Sequence, residues 1–147
     1  MSTIFANKIK NNQGGNDVKV NQLSGIDTAG SITVQGEGSN TTNLQQGLVK
    51  AWANFDESGT AAIRDNFNVT DLTDNGTGYF TVNLTNAMSS DDYVRTGSAG
   101  ENSNSGGNRV VGLRSPSTGS FNLFTCNTGG SASDTPDTCV AIFGDLA

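Results

Sequence analysis

The sequence predicts an all-β protein: an extended N-terminal β arm and linker over residues 1–47, then an antiparallel β-sandwich-like domain over residues 48–147. Three observations predict it. Turn residues are abundant and helix formers scarce, with 19 glycines in 147 residues and only 33% hydrophobic and 15% charged positions, a balance common in turn-rich β proteins. Beyond residue 48 the apolar residues come in short alternating runs divided by turn signals, the spacing of a sandwich or barrel-like domain. The stretch 48–55 (LVKAWANF), which holds the only tryptophan, separates a polar ribbon from these runs.

In the arm, residues 4–10, 18–23 and 32–35 read as short strands joined by turns. Ile9, Val18, Val20, Leu23, Ile26, Ile32 and Val34 could each bury one side of a ribbon, but an isolated ribbon of two or three strands is marginal in water. The arm must therefore lie against something else. Residues 36–43 read as a linker, and 43–47 could add one helical turn. As a strand, 48–55 sends Val49, Ala51, Ala53 and Phe55 to one face and Leu48, Lys50, Trp52 and Asn54 to the other. The first face suits a core. The second, with a large aromatic beside an aliphatic lysine stem, suits the margin of a core or a subunit contact.

Further on, Phe67 and Val69 alternate with polar residues, as do Phe80, Val82 and Leu84 across a turn at 74–78 (DNGTG). The Asn-Gly pair favours the positive φ of such a turn, so this is a hairpin. Its spacing lacks the regular ligand series of an EF-hand, and no metal site is assigned there. Later strands are predicted at 93–98, 109–114, 121–126 and 139–143. The last two are apolar on both faces and need a second cover, which a central position in the domain or a neighbouring subunit would supply. Trp52, Phe124, Val140 and Ile142 are the candidate subunit contacts, and a homotrimer would pool them in one axial core.

Cys126 ends one run and Cys139 opens the next, and the residues between them have a loop composition. Pairing of the two runs as a hairpin would set the cysteines opposite each other, within reach of a disulfide. Closure of such a loop is worth roughly 3 kcal/mol in the chain-entropy model. Whether the bond forms depends on the redox compartment.

Net charge is −6, and its distribution is uneven: the four lysines fall within the first 50 residues, and from Ala51 onward 11 acidic residues face 4 arginines. Such a body repels phosphate backbones and carries no basic stripe, so no nucleic acid partner is expected. No apolar run is long enough for membrane insertion, and no signal-peptide core is recognised. With no histidine and two cysteines, the common zinc sites and histidine-dependent triads are excluded. The paired carboxylates Asp56-Glu57 and Asp91-Asp92 could suggest glycoside cleavage, but both read as solvated turn formers. The triplets beginning at Asn40, Asn68, Asn75 and Asn83 match a glycosylation pattern by chance in so Asn-rich a chain. No catalytic residue and no cofactor is expected.

Residues 48–55, 63–70 (IRDNFNVT) and 73–82 (TDNGTGYFTV), with 10–15 (KNNQGG) and 31–36 (SITVQG) in the arm, resemble fibre-like virion proteins of tailed phages from marine hosts. The likeness spans nearly the whole chain, and that family defines no catalytic residues. It implies a structural component of a virus particle made in the host cytoplasm, a trimeric tail fibre or fibre-like appendage. Its arm would attach to other virion proteins, and its β domain would meet a host surface glycan or protein. The alternative is a capsid or tail decoration protein with no receptor. For a receptor binder, the longest polar loops are the candidate contacts, with Asn102, Asn104 and Asn108 in one and Asn127 and Asp134 in the other.

Overall fold

Alternating burial along the central strands of two sheets sets the architecture. The computed structural model describes residue 22 and residues 32–35, 39–101 and 109–147. Strands β1 (Thr33–Gln35) and β2 (Thr41–Asn43) form a separate antiparallel ladder, and a helical turn α1 (Leu44–Gly47) leads into the body. Eight more strands make two four-stranded antiparallel sheets. Sheet one runs in the order β4 (Ala62–Phe67), β3 (Val49–Asp56), β10 (Asp137–Phe143), β7 (Val94–Gly100). Sheet two runs β5 (Val69–Asp74), β6 (Tyr79–Leu84), β9 (Ser120–Asn127), β8 (Arg109–Ser117). The protein is all-β and antiparallel, as its alternating runs predict.

Within sheet one, Ala51, Ala53 and Phe55 of β3 and Val140 and Ile142 of β10 are buried in one apolar cluster. Phe80 and Val82 of β6 and Phe121 and Leu123 of β9 join them from sheet two. Each buried Phe, Leu, Ile or Val contributes roughly 1.5–3 kcal/mol relative to exposure. The remaining side chains of these strands therefore stand on the two outer faces. In this way one side of each of the last two runs is covered within a single chain, while Phe124, Ala141 and Phe143 on the other side stay half-buried on the outer faces. Val140 and Ile142 are only 5% and 1% exposed, so they are core residues and not the subunit contacts their composition suggests. Trp52 stays on the outer face of sheet one, paired with Phe67 and Ala141 on its two sides, and Phe124 stays on the outer face of sheet two.

Two expectations about connections fail. The hairpin predicted at 74–78 forms, joining β5 to β6, but Phe67 is not part of it. Phe67 ends β4 in sheet one, and the chain steps into sheet two at Asn68, whose φ is 57°. Asn tolerates this left-handed conformation better than most residues. Its amide also bridges strand ends: Nδ2 donates to Lys50 O at 3.0 Å and Asn86 O at 3.2 Å, and Oδ1 accepts from Asn86 N at 2.7 Å.

The second failure concerns the cysteines. Strands β9 and β10 lie in different sheets, so Cys126 stands opposite Val110 and Cys139 opposite Asn54 and Ser98. Alternation turns Thr125 and Thr138 inward, each 0% exposed, and so turns the adjacent Cys126 and Cys139 to opposite outer faces. Both thiols are free. The connection has a hairpin-loop composition but crosses the end of the sandwich. Backbone bonds from Asn127 N to Ser131 O, Ser133 N to Thr125 O and Glu57 N to Thr135 O hold it there. Most of the N-terminal arm, and the loop with Asn102, Asn104 and Asn108, lie outside the described residues.

Asn68 yields a direct test of the crossover. Asn68→Ala combines a left-handed penalty of about 1 kcal/mol with three lost hydrogen bonds of about 1 kcal/mol each, so urea unfolding is expected to show a loss of about 4 kcal/mol. Asn68→Gly, which removes the strain but not the lost bonds, should cost less than the alanine.

Candidate ligand-binding face

The outer face of sheet two gathers hydrogen-bonding and aromatic side chains in rows, because antiparallel register places residues of neighbouring strands side by side. Thr73 of β5 stands opposite Thr81 of β6, Thr81 opposite Asn122 of β9, and Asn122 opposite Arg114 of β8. This row crosses the whole sheet. Thr81 Oγ1 donates to Asn122 Oδ1 at 3.1 Å and accepts from Asn75 Nδ2 at 2.9 Å. On one side, Asn83 Nδ2 donates to Asp71 Oδ1 at 2.6 Å and Thr73 Oγ1 at 3.0 Å. On the other side runs a second row, Tyr79, Phe124 and Gly112.

The two aromatic rings of that row are 4.7 Å apart between centroids, and the Arg114 guanidinium lies 4.6 Å above the Phe124 ring. The Arg114 side chain lies alongside Gly112, where a Cβ would meet its Nε at 3.5 Å, an ordinary van der Waals contact. Arg114 makes no ion pair among the described residues. Tyr79 is 46% exposed, held at the end of the β5–β6 turn by Asn75 N to Tyr79 O and Tyr79 N to Gly76 O. The face thus presents a ring, a cation and a line of amides and hydroxyls to solvent.

Sheet one presents a different outer face. Arg64 pairs with Asp56 at 2.9 Å and Asp137 at 3.5 Å, and Asn54 Nδ2 donates to Asp137 Oδ1 at 2.7 Å and reaches Cys139 Sγ at 3.1 Å. Hydrogen bonds from Ser58, then Arg64, hold the Asp56 carboxyl below the usual range. Beside this polar patch lies the exposed apolar pair Trp52 and Phe67.

Glu57 corrects the reading of Asp56-Glu57 as solvated carboxylates. It is 1% exposed, enclosed where β3 ends. Its Oε2 accepts from Thr125 Oγ1 at 2.6 Å and Thr135 N at 3.0 Å, and its Oε1 accepts from Thr138 Oγ1 at 2.8 Å. Thr135 and Thr138 hydroxyls are 2.6 Å apart. Thr125 belongs to sheet two and Thr138 to sheet one, so one carboxyl ties the sheets together. No cation is among its hydrogen-bond partners. Burial pushes its pKa up, against hydrogen bonds from the three threonines that pull it down. A carboxyl of this kind can act as an acid only where substrate reaches it, and this one is sealed.

Of the loop residues predicted to contact a receptor, the two that are described, Asn127 and Asp134, hydrogen-bond within the domain. Asp134 Oδ1 accepts from Gly78 N at 2.6 Å, and Asn127 Oδ1 accepts from Ser131 N at 3.0 Å. Both side chains brace the crossing over the sandwich end. Sequence reasoning missed Tyr79, Arg114 and Asn122 as one site. The signal was present in their outward parity, but only the order of strands in the sheet brings them together.

Glu57→Gln and Glu57→Ala should separate the carboxyl's charge from its hydrogen bonds. In Gln the carbonyl replaces Oε2 and the amide donates to Thr138, whose hydroxyl turns to Thr135, so its cost should be within about 1 kcal/mol, whereas the Ala variant orphans buried donors and should lose about 3 kcal/mol. Because the folded pKa lies above the ordinary 4.5, the folded state holds the proton more tightly than the unfolded state. The stability from protonated Glu57 is complete below 4.5 and falls as pH rises through the raised value. Glu57→Gln should therefore gain on the wild type as pH rises above 4.5 in chemical denaturation. Comparison of the chain with protein-family models, with curated proteins and with solved structures finds no match.

Proposed function

We propose that the chain is a virion structural protein, a tail fibre or fibre-like appendage of a tailed phage that contributes to host attachment. The observation that carries the attachment role is the outer face of sheet two, where Tyr79, Phe124 and Arg114 adjoin a row of amides and hydroxyls. Polar groups with an exposed aromatic and a cation suit reversible recognition of a polar surface. The virion setting rests on the resemblance of the 48–55, 63–70 and 73–82 segments to fibre-like virion proteins. The N-terminal arm is the proposed link to other virion proteins.

Three copies assemble in this reading, with the outer face of sheet one turned to a neighbour. Trp52 and Phe67 support it: they are 37% and 51% exposed and adjacent across β3 and β4. Contiguous exposed aromatic surface of this kind marks contact sites. Val140 and Ile142 have no part in the contact. The glutamate in the threonine cage holds the shape of the domain and performs no reaction.

Purified particles give the test. Antiserum raised against residues 48–147 should label the tail in electron micrographs and block adsorption to host cells, whereas absence of the protein from particles would refute the reading. In sedimentation, the wild type should run as three chains and the Trp52→Ser, Phe67→Ser double variant as one. A wild-type monomer at micromolar concentration would remove the trimer.

A further inference from the structure

Deepening the attachment reading above, on which its biological sense rests, we propose that the outer face of sheet two binds an acidic saccharide, its ring on Tyr79 and its carboxylate on Arg114. The row Thr73–Thr81–Asn122–Arg114 crosses three strand intervals, a length of about 14 Å, enough for a short oligosaccharide laid across the strands. Along it stand hydroxyls and amides, the groups that pair with sugar hydroxyls. The parallel row supplies Tyr79, whose exposed ring can receive the apolar C–H face of a sugar.

Arg114 selects the acid. It is fixed over Phe124, it is without an ion pair among the described residues, and a guanidinium forms strong forked bonds to a carboxylate. The acidic residue on the same face, Asp71, stands on β5 at the opposite edge of the sheet and is held by Asn83. Asn122 lies directly beside Arg114 in the register. Its Oδ1 is engaged by Thr81, and its Nδ2 has no partner among the described residues, so it donates to ligand. A protein partner fits less well, because the buried core of a protein interface is more apolar than this face, where Tyr79 and Val110 are the exposed large apolar side chains among polar groups. A nucleic acid fits less well again, since one cation cannot offset the acidic body.

The test is calorimetric titration of the purified full chain with hexamers of galacturonic, mannuronic and guluronic acid. Methyl-esterified hexagalacturonate is the neutral control. At least one uronate should bind in the micromolar to millimolar range, and galacturonate should bind more tightly than its ester. Arg114→Gln should weaken uronate binding about tenfold or more, the scale of a lost charge-assisted bond, and leave the ester unchanged. Tyr79→Ala should weaken both. Asn122→Asp, an exposed change that sets a carboxylate beside Arg114, should abolish the preference for acid while thermal unfolding stays at the wild-type midpoint; it decides the matter if Tyr79→Ala fails to fold. Absence of binding by all three uronates, equal affinity for acid and ester, or binding untouched by Arg114→Gln and Asn122→Asp would each overturn the proposal. If antiserum still blocks adsorption in that event, attachment stands with a different ligand; if uronate binds but the protein is absent from particles, the site stands and the virion reading falls.

Discussion

A carboxyl with no cation among its hydrogen-bond partners holds the two sheets together at one end of the sandwich. Glu57 closes β3, Thr125 belongs to β9, and Thr135 and Thr138 lead into β10, so these hydrogen bonds join both sheets and the long connection between them. Burying such a group is costly unless donors meet it. Here donors meet both of its oxygens. The crossing from β9 to β10 can therefore run over the sandwich end, and once it does, the first and last strands of the body lie side by side at the centre of sheet one.

The opposite connections depend on single polar residues in the same way. Tyr93, just before β7, places its hydroxyl 3.0 Å from both Ser117 O and Ser120 O, reaching from sheet one to the β8–β9 turn. Burial raises its pKa, so the phenol stays a donor. Asn68 turns the chain from β4 into β5. With the sheets fixed by these groups, the buried polar side chains among the described residues are the threonine cage with Glu57, and Lys50, and the outer faces carry the exposed aromatic and polar rows. The two faces have diverged accordingly, one with Trp52 and Phe67 exposed, the other with Tyr79, Arg114 and polar rows.

The strands were legible because alternation is a local property: residues 48–55 predict the buried and exposed faces of β3 at Ala51, Ala53, Phe55 and Trp52. Pairing was less legible. The loop before β10 has the composition of a hairpin connection, and nothing local distinguishes a turn from a crossing, so the sequence makes Cys126 and Cys139 look like neighbours although they face away from each other. The double-sided apolar pattern of β10 fits a central position in the domain as well as a subunit contact, and the sequence does not show that sheet two covers Val140 and Ile142. Glu57 was hidden for a similar reason. Next to Asp56 and Ser58 it looks like a turn carboxylate, and its threonine partners lie 68, 78 and 81 positions away. The candidate face was half legible, since the outward parity of Tyr79, Thr81 and Asn122 follows from alternation, but Arg114 joins them only through the order of strands.

Amide hydrogen exchange at Thr135 tests the central claim most directly. Thr135 lies in a loop, where amides ordinarily exchange quickly, but its N–H is buried and donates to Glu57 at 3.0 Å. If the buried carboxyl closes the sandwich, this amide opens only with the core and exchanges as slowly as those of Val140 and Ile142. Exchange at the rate of Gly129, in the exposed part of the same loop, would contradict the account.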